Sequence, residues 1–258
     1  SAASTGHVLM KEGANVYDPD LHGSPPRDPL LSTGTPGHGL RTLRVLCGFQ
    51  PGLFAGVAPR ANIIPFRVTN FVVVNPLFNT NSGVAEGIRR ATIDKGCRVL
   101  SMSLGDPCFP GSETGRAVDR AYEMGVIMVA AAGNVTSEVT FPGRYARTIA
   151  VGGVSESRRP WAGGSYGSRV DLCAPADDGY RALRDVGGTG RAGYSAKDGD
   201  GTSYATTHVS AAAVMWLAHH GRAIDDLYGD TWRRVEAFRH CARVTAKPGP
   251  DWDFTNYG

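Results

Sequence analysis

From Asn62 onward the chain has a strict rhythm. Short runs of β-branched and apolar residues alternate with stretches spaced like helix faces. "NIIPFRV" is followed by Val84, Ile88 and Ala91 at i, i+4 and i+7, then by "RVLSMSL". Ala117, Val118, Ala121 and Tyr122 then share one helical face, and "VIMVAAA", "TIAVGGV" and "RVDLCAP" follow. Near-continuous apolar strands are buried on both sides, and strands joined through helices run parallel with right-handed crossovers. The rhythm therefore predicts an α/β fold in three layers, a mainly parallel central sheet between helices. Sheets of this kind carry their working loops at the carboxyl ends of the strands.

A chain of 258 residues fits one such domain. Its 41% hydrophobic and 20% charged residues are those of a globular protein, neither disordered nor fibrous. A net charge of only +3, with basic residues scattered among acids, argues against nucleic acid as a partner. The five cysteines include no C-x-x-C pair, so neither a zinc site nor a dense disulfide framework is suggested. Cys47, Cys97 and Cys173 lie among apolar residues and read as buried thiols. No run reaches the roughly 18 apolar residues of a membrane span, and "SAASTGHVLMKEG" lacks the pattern of a signal peptide. Compartment and oligomeric state stay open.

Two segments break the rhythm. "YDPDLHGSPPRDPLLSTGTPGHG" is dense in Pro, Gly, Asp and Ser and reads as an extended surface loop leading to His38. A second long loop is expected from Ala176 to Gly201. Its "GGTGRAG" has no preceding strand and no following G-K-[ST], so it is a loop and not a phosphate cradle. Asp198 and Asp200 in "KDGDG" read as a solvated turn; a structural calcium is possible there, but EF-hand spacing is lacking, and no cofactor is required. His219 and His220 read as the end of an apolar helix and not as metal ligands. Val235, Phe238 and Ala242 give a final helix, which "KPGPDWDF" ends.

Three polar groups stand where this fold does not require them. Gly133-Asn134 follows "VIMVAAA", Gly201-Thr202-Ser203 precedes an alanine-rich helix, and His38 stands just ahead of another helical run. A serine at a helix N-terminus lies beside free N–H groups and the positive end of the dipole, which suits a nucleophile that generates an oxyanion. Histidine is the usual base for it, and an asparagine amide can donate to the oxyanion. Each residue also has a plainer reading. Ser203 or Thr202 would serve as an N-cap, Asn134 as a turn residue or as the acceptor of the sequon N-V-T, and His38 as an ordinary loop residue.

The words around these residues resemble the subtilisin-like serine peptidases. "GHGLRTLRVLCG" looks like the family's H-G-T helix, "GVAPRANIIPFRV" like its G-V-A-P segment, and "VLSMSLG" like its substrate-binding strand. "VAAAGN" is similar to the oxyanion segment, "SYGSRVDLCAP" to S-x-G-x-x-V-D-x-x-A-P, and "GTSYATTHVSAAAV" to the nucleophile motif. The resemblance implies a single subtilisin-like domain over residues 1–258, with Ser203 as nucleophile, His38 as base and Asn134 as oxyanion donor. It further implies that Ser103, Leu104 and Gly105 pair with an extended polypeptide substrate, and that Ala130, Ala131, Ala132 and Gly133 wall the pocket for the side chain before the scissile bond.

The family's acid is the point of departure. It should precede His38 at the end of the first central strand, yet "STG" carries Ser4 where D-T-G would carry it. "GANVYDPDLHGSPPRDPL" looks like a segment downstream of that strand, so the expectation is a domain lacking its usual first strand, with the acid before residue 1. Asp18, Asp20 and Asp28 are the alternatives within the chain. The end "DFTNYG" likewise stops where the family continues, which reads as a missing final segment. Leu40 replaces the Thr of H-G-T and Thr207 a Pro, which a first-turn helical position tolerates. Two functions follow: an endopeptidase, or a degenerate domain that holds extended peptides without cutting them. A lipase-like hydrolase is excluded because G-x-S-x-G does not surround Ser203.

Overall fold

A computed structural model describes residues 8–28, 34–50, 54–74, 81–134, 136–177, 181–185, 193–197 and 199–258. Its centre is a four-stranded parallel sheet in the order β5-β6-β7-β8, formed by β5 (Val99–Met102), β6 (Ile127–Ala131), β7 (Ile149–Val154) and β8 (Leu172–Pro175). Val99 pairs with Ile127, Val129 with Ile149, and Val151 with Leu172.

The period of two along a strand separates the layers. Ile127 and Val129 of β6 join a core with Ala205, Val209, Ala213 and Leu217 of α4 (Thr202–Tyr228) and with Val235 and Phe238 of α5 (Trp232–Thr245). Met128 and Ala130 point the other way, into a core with Val84 and Ile88 of α2 (Asn81–Arg89) and Val118 and Ala121 of α3 (Ser112–Glu123). Two cores on opposite faces of one sheet make the α/β/α sandwich that the rhythm predicts.

A smaller parallel pair stands apart: β1 (Ala14–Asn15) lies along β4 (Phe66–Arg67), with Val8 bridging to Ile63. Ala14, Asn15 and Val16, just ahead of the Pro-rich loop that begins at Tyr17, are buried, and within that loop Pro19–Leu21 forms a short helical turn. The sequence there hides a strand because β1 is only two residues long, between Gly13 and Val16, too short to show alternation. α1 (His38–Cys47) is followed by the hairpin of β2 (Phe49–Gln50) and β3 (Phe54–Ala55). The expected loop at 176–201 also needs correction: it carries an antiparallel hairpin of β9 (Arg181–Asp185) and β10 (Gly193–Lys197).

α4 is longer than its apolar stretch suggests. It continues to Tyr228, so His219 and His220 lie within the helix and not at its end. Its buried hydroxyls bond back along the helix, Thr206 to the Thr202 carbonyl, Thr207 to Tyr204 and Ser210 to Thr206, which lets a polar sequence cross the core. Thr207 thus sits in the second turn, where its own side chain satisfies itself. A last turn, α6 (Phe254–Tyr257), has Asp253 as a cap that accepts from the Thr255 N–H.

Arg234 is the one charged side chain of the described residues that is only 1% exposed. Its guanidinium donates to the Gly125 and Met124 carbonyls and to Asp230, tying α5 to the turn that leads into β6. Arg234→Ala strands those carbonyls and leaves a cavity, and should cost about 2–4 kcal/mol. A urea midpoint unchanged from wild type would contradict this role.

Candidate active site

Parallel strands end at one edge of the sheet, and the candidate residues collect there. β5 runs into Ser103, Leu104 and Gly105, β6 runs into Ala132, Gly133 and Asn134, and α4 presents Ser203 as its second residue. Ser103 and Ser203 are joined reciprocally. The Ser103 hydroxyl donates to the Ser203 carbonyl at 2.8 Å, and the Ser203 hydroxyl faces the Ser103 carbonyl at 3.4 Å.

Asn134 is exposed, but its amide is oriented. Its Oδ1 accepts from the Thr202 N–H at 2.9 Å and the Thr202 hydroxyl at 2.7 Å. The NH2 end is consequently the one left to donate. Thr202, fully buried, also accepts from the Gly133 N–H at 3.3 Å. Sequence reasoning gave Thr202 only a capping role; the hint was its place between the glycine and the serine of the nucleophile word. Glycine is required on both sides of this arrangement. Gly133 has φ +120° and Gly201 φ +144°, and a Cβ on Gly201 would lie 3.1 Å from Asn134 Nδ2.

Ala130, Ala131 and Ala132 are buried. Ala130 belongs to the core under α3, Ala132 packs with Val139, Ala150 and Val170, and the Ala132 carbonyl accepts from the Thr140 hydroxyl. Leu104 is half-buried against the α2–α3 core. Both backbone groups of Gly105 are engaged: its N–H donates to the Val72 carbonyl, and its carbonyl accepts from the Val74 N–H, each at 2.8 Å.

His38 begins α1, which packs against α4 through Leu46, Cys47 and Ala211. Gly37 caps it with φ +72° and donates its N–H to Asp28 at 2.5 Å, while the His38 N–H donates to the Thr35 carbonyl at 3.2 Å. Burial, with the nearby Arg41 cation adding to it, lowers the His38 pKa to about 4, so the imidazole is neutral at neutral pH. No carboxylate of the described residues hydrogen-bonds to that ring. Asp18 instead accepts from Asn15 and Arg67; burial opposes its ionisation, but these donors hold its pKa below the usual value. Asp28 serves the Gly37 N–H and lies 3.9 Å from Arg67, and Asp20 is exposed in a short helical turn. Ser4 and Asp198 lie outside the described residues. Leu40 is exposed.

The structure thus brings together Ser103, Gly133, Asn134 and Ser203 around one helix terminus. His38 stands on the adjacent helix without a hydrogen bond to the serine. Among the described residues no group of three His, Cys, Asp or Glu side chains is placed to hold a metal, all five cysteines are free, and no helix is long and apolar enough to cross a membrane.

Comparison with known proteins agrees with this architecture. The family model described as "Subtilase family" matches residues 6–249. Alkaline elastase YaB of Bacillus sp. (strain YaB) is 32% identical over 193 residues, covering 74% of this chain and 47% of the relative. Subtilisin NAT of Bacillus subtilis subsp. natto is 38% identical over 175 residues, covering 64% and 41%. The matched region thus spans about half the length of these curated relatives. Among solved structures, a protease from Pseudoalteromonas arctica superposes with a TM-score of 0.74 over 98% of this chain and 81% of its own, at 20% identity, which speaks for the fold alone. With a family model that matches nearly its whole length, the chain belongs to the subtilase family.

Proposed function

We propose that this chain carries a serine endopeptidase site, in which Ser203 attacks the carbonyl of an extended polypeptide, His38 takes the serine proton, and an acyl-enzyme forms and is hydrolysed. The observation that carries this reading is the orientation of Asn134. Two bonds from Thr202 hold its Oδ1, so its NH2 group is free to donate beside the N-terminus of α4, where the Ser203 N–H is also available. Two donors converging on one point are what a tetrahedral oxyanion needs. The Ser203 hydroxyl stands at the end of the Ser103–Gly105 edge, which supports a reading in which the scissile carbonyl lies next to Ser103.

The third member, a carboxylate beside His38, would come from a parallel strand outside the described residues. Three features support this. Among the described residues β4 and β5 each have a single sheet neighbour, β1 and β6. Their continuations run parallel, meeting at Val73 and Gly105. Ile63–Asn70 is half-buried throughout, whereas β6 is fully buried. A fluorophosphonate should label Ser203 of the full-length protein, and Ser203→Ala should abolish the label; absence of labelling in wild type would sink the peptidase reading.

A second reading has its own support. A His38 ring with no carboxylate partner suits a domain that binds extended peptides without cutting them. Cleavage of an unfolded protein by wild type and Ser203→Ala separates the two, because equal rates would leave only binding.

A further inference from the structure

Strand addition needs a free N–H and a free carbonyl at alternate residues of the receiving edge. On the peptidase reading, the residue that supplies the scissile carbonyl lies beside Ser103, since the Ser203 hydroxyl stands 3.4 Å from the Ser103 carbonyl. An extended substrate that follows this edge brings the residue two positions earlier opposite Gly105. That place is taken. The Gly105 N–H donates to the Val72 carbonyl and the Gly105 carbonyl accepts from the Val74 N–H. The next residue, Asp106, pairs with Phe141 through both of its own backbone groups, so the edge is closed beyond Leu104 on either side.

We infer that Phe71–Val74 is a strap built into the substrate edge, which restricts recognition to the two residues on the amino side of the cleaved bond. The segment is held independently of Gly105. Its Val72 N–H donates to the Thr35 hydroxyl at 3.1 Å, the Thr35 N–H donates to the Asn70 carbonyl at 2.9 Å, and the Val74 side chain is buried in the core with Leu100 and Met102. Alternate residues Phe71 and Val73 face outward, 40% and 47% exposed. Thr35 also accepts the His38 N–H through its carbonyl, so one residue anchors both the strap and the start of the helix that carries the base. The substrate class this favours is a peptide that engages the site through a short amino-side stub, such as a chain's own amino terminus. A longer segment must displace the strap before it gains any main-chain bond at Gly105.

The test is a series of peptidyl phosphonates carrying one, two or four residues before the reactive group, with the rate of Ser203 labelling as readout. Wild type should gain from the second residue and change less than about twofold from two to four. Thr35→Val, which removes the hydroxyl that holds the Val72 N–H while keeping side-chain shape, should raise the four-residue rate over the two-residue rate by about tenfold, the worth of one to two net main-chain hydrogen bonds. Val74→Pro, which removes a strap N–H outright, should do the same. A tenfold gain already present in wild type, or no gain in a folded Thr35→Val, overturns the proposal. Amide exchange supplies a readout that needs no catalysis: the Val74 N–H should be protected in the free protein and exposed in Thr35→Val. If a small fluorophosphonate fails to label Ser203, the peptidase reading falls and the Val74 amide decides on the strap alone, rapid exchange in wild type overturning it.

Discussion

Without a carboxylate beside His38, peptide hydrolysis is expected to run about 10⁴-fold below that of a complete Ser–His–Asp enzyme, the cost of losing the acid's function in the serine-protease template. The acidic limb of its pH profile should fall near pH 4 instead of the usual histidine range. The cause is the setting of His38. Burial and the Arg41 cation both disfavour the imidazolium, and no described carboxylate offsets them. A base with its pKa lowered to about 4 is unprotonated across the neutral range, so activity should be flat from about pH 5 upward until other groups titrate. The low pKa also makes it a poor proton acceptor, which is where the rate is lost. A carboxylate docked beside the ring would raise the pKa and the rate together. Measuring kcat/KM from pH 3.5 to 9 separates the two settings: a limb near pH 4 means a ring without an acid, and a limb at pH 6.5 or above means that a carboxylate from outside the described residues sits next to His38. The same shift bears on stability. A histidine whose pKa is lower in the folded state leaves the unfolded state binding more protons, so stability is complete above the unfolded pKa and declines as pH falls from there toward 4.

Replacing Asn134 by leucine should lower kcat by 10²–10³ with little change in KM. That magnitude comes from subtilisin, where loss of one oxyanion donor has this cost. The argument rests on what the amide does in the free protein. Its oxygen is already committed to Thr202, so the side chain is fixed before substrate arrives and its NH2 group acts only on the charge that develops. An interaction present only in the transition state appears in kcat and not in binding. An activated ester provides the signal if amide cleavage is slow. A parallel rise in KM would mean instead that Asn134 holds the ground-state substrate.

Much of the fold was legible because burial on both faces leaves a strong mark. "VIMVAAA" and "TIAVGGV" read as central strands and became β6 and β7, and the faces of α2, α3 and α5 follow from their apolar spacing. β1 was not legible because two residues are too short to show alternation, and the β9–β10 hairpin because its strands, "RALRD" and "GYSAK", are short and carry few large apolar residues. α4 ran past His219 and His220 because Ile224, ahead of a polar end, still reaches the core. Of the candidate site, Ser203, Asn134 and His38 were nominated by the words that surround them. Thr202 could not, because its role depends on a partner 68 residues away in sequence.

What the sequence determined by itself, then, was layering and the candidates for chemistry: a serine at a helix start, a glycine-flanked amide, a histidine at another helix, and apolar strands that only a parallel sheet can bury. These are local properties, written in residue type and period. Tertiary structure alone decided how those groups are set. The Asn134 amide points as it does because Thr202 is brought to it, the His38 pKa is lowered because burial and, beyond it, the Arg41 cation disfavour the imidazolium, and the Gly105 edge is closed because Val72 and Val74 fold onto it. Hydrogen bonds and pKa shifts depend on which distant residues meet, and that is fixed only when the chain has packed.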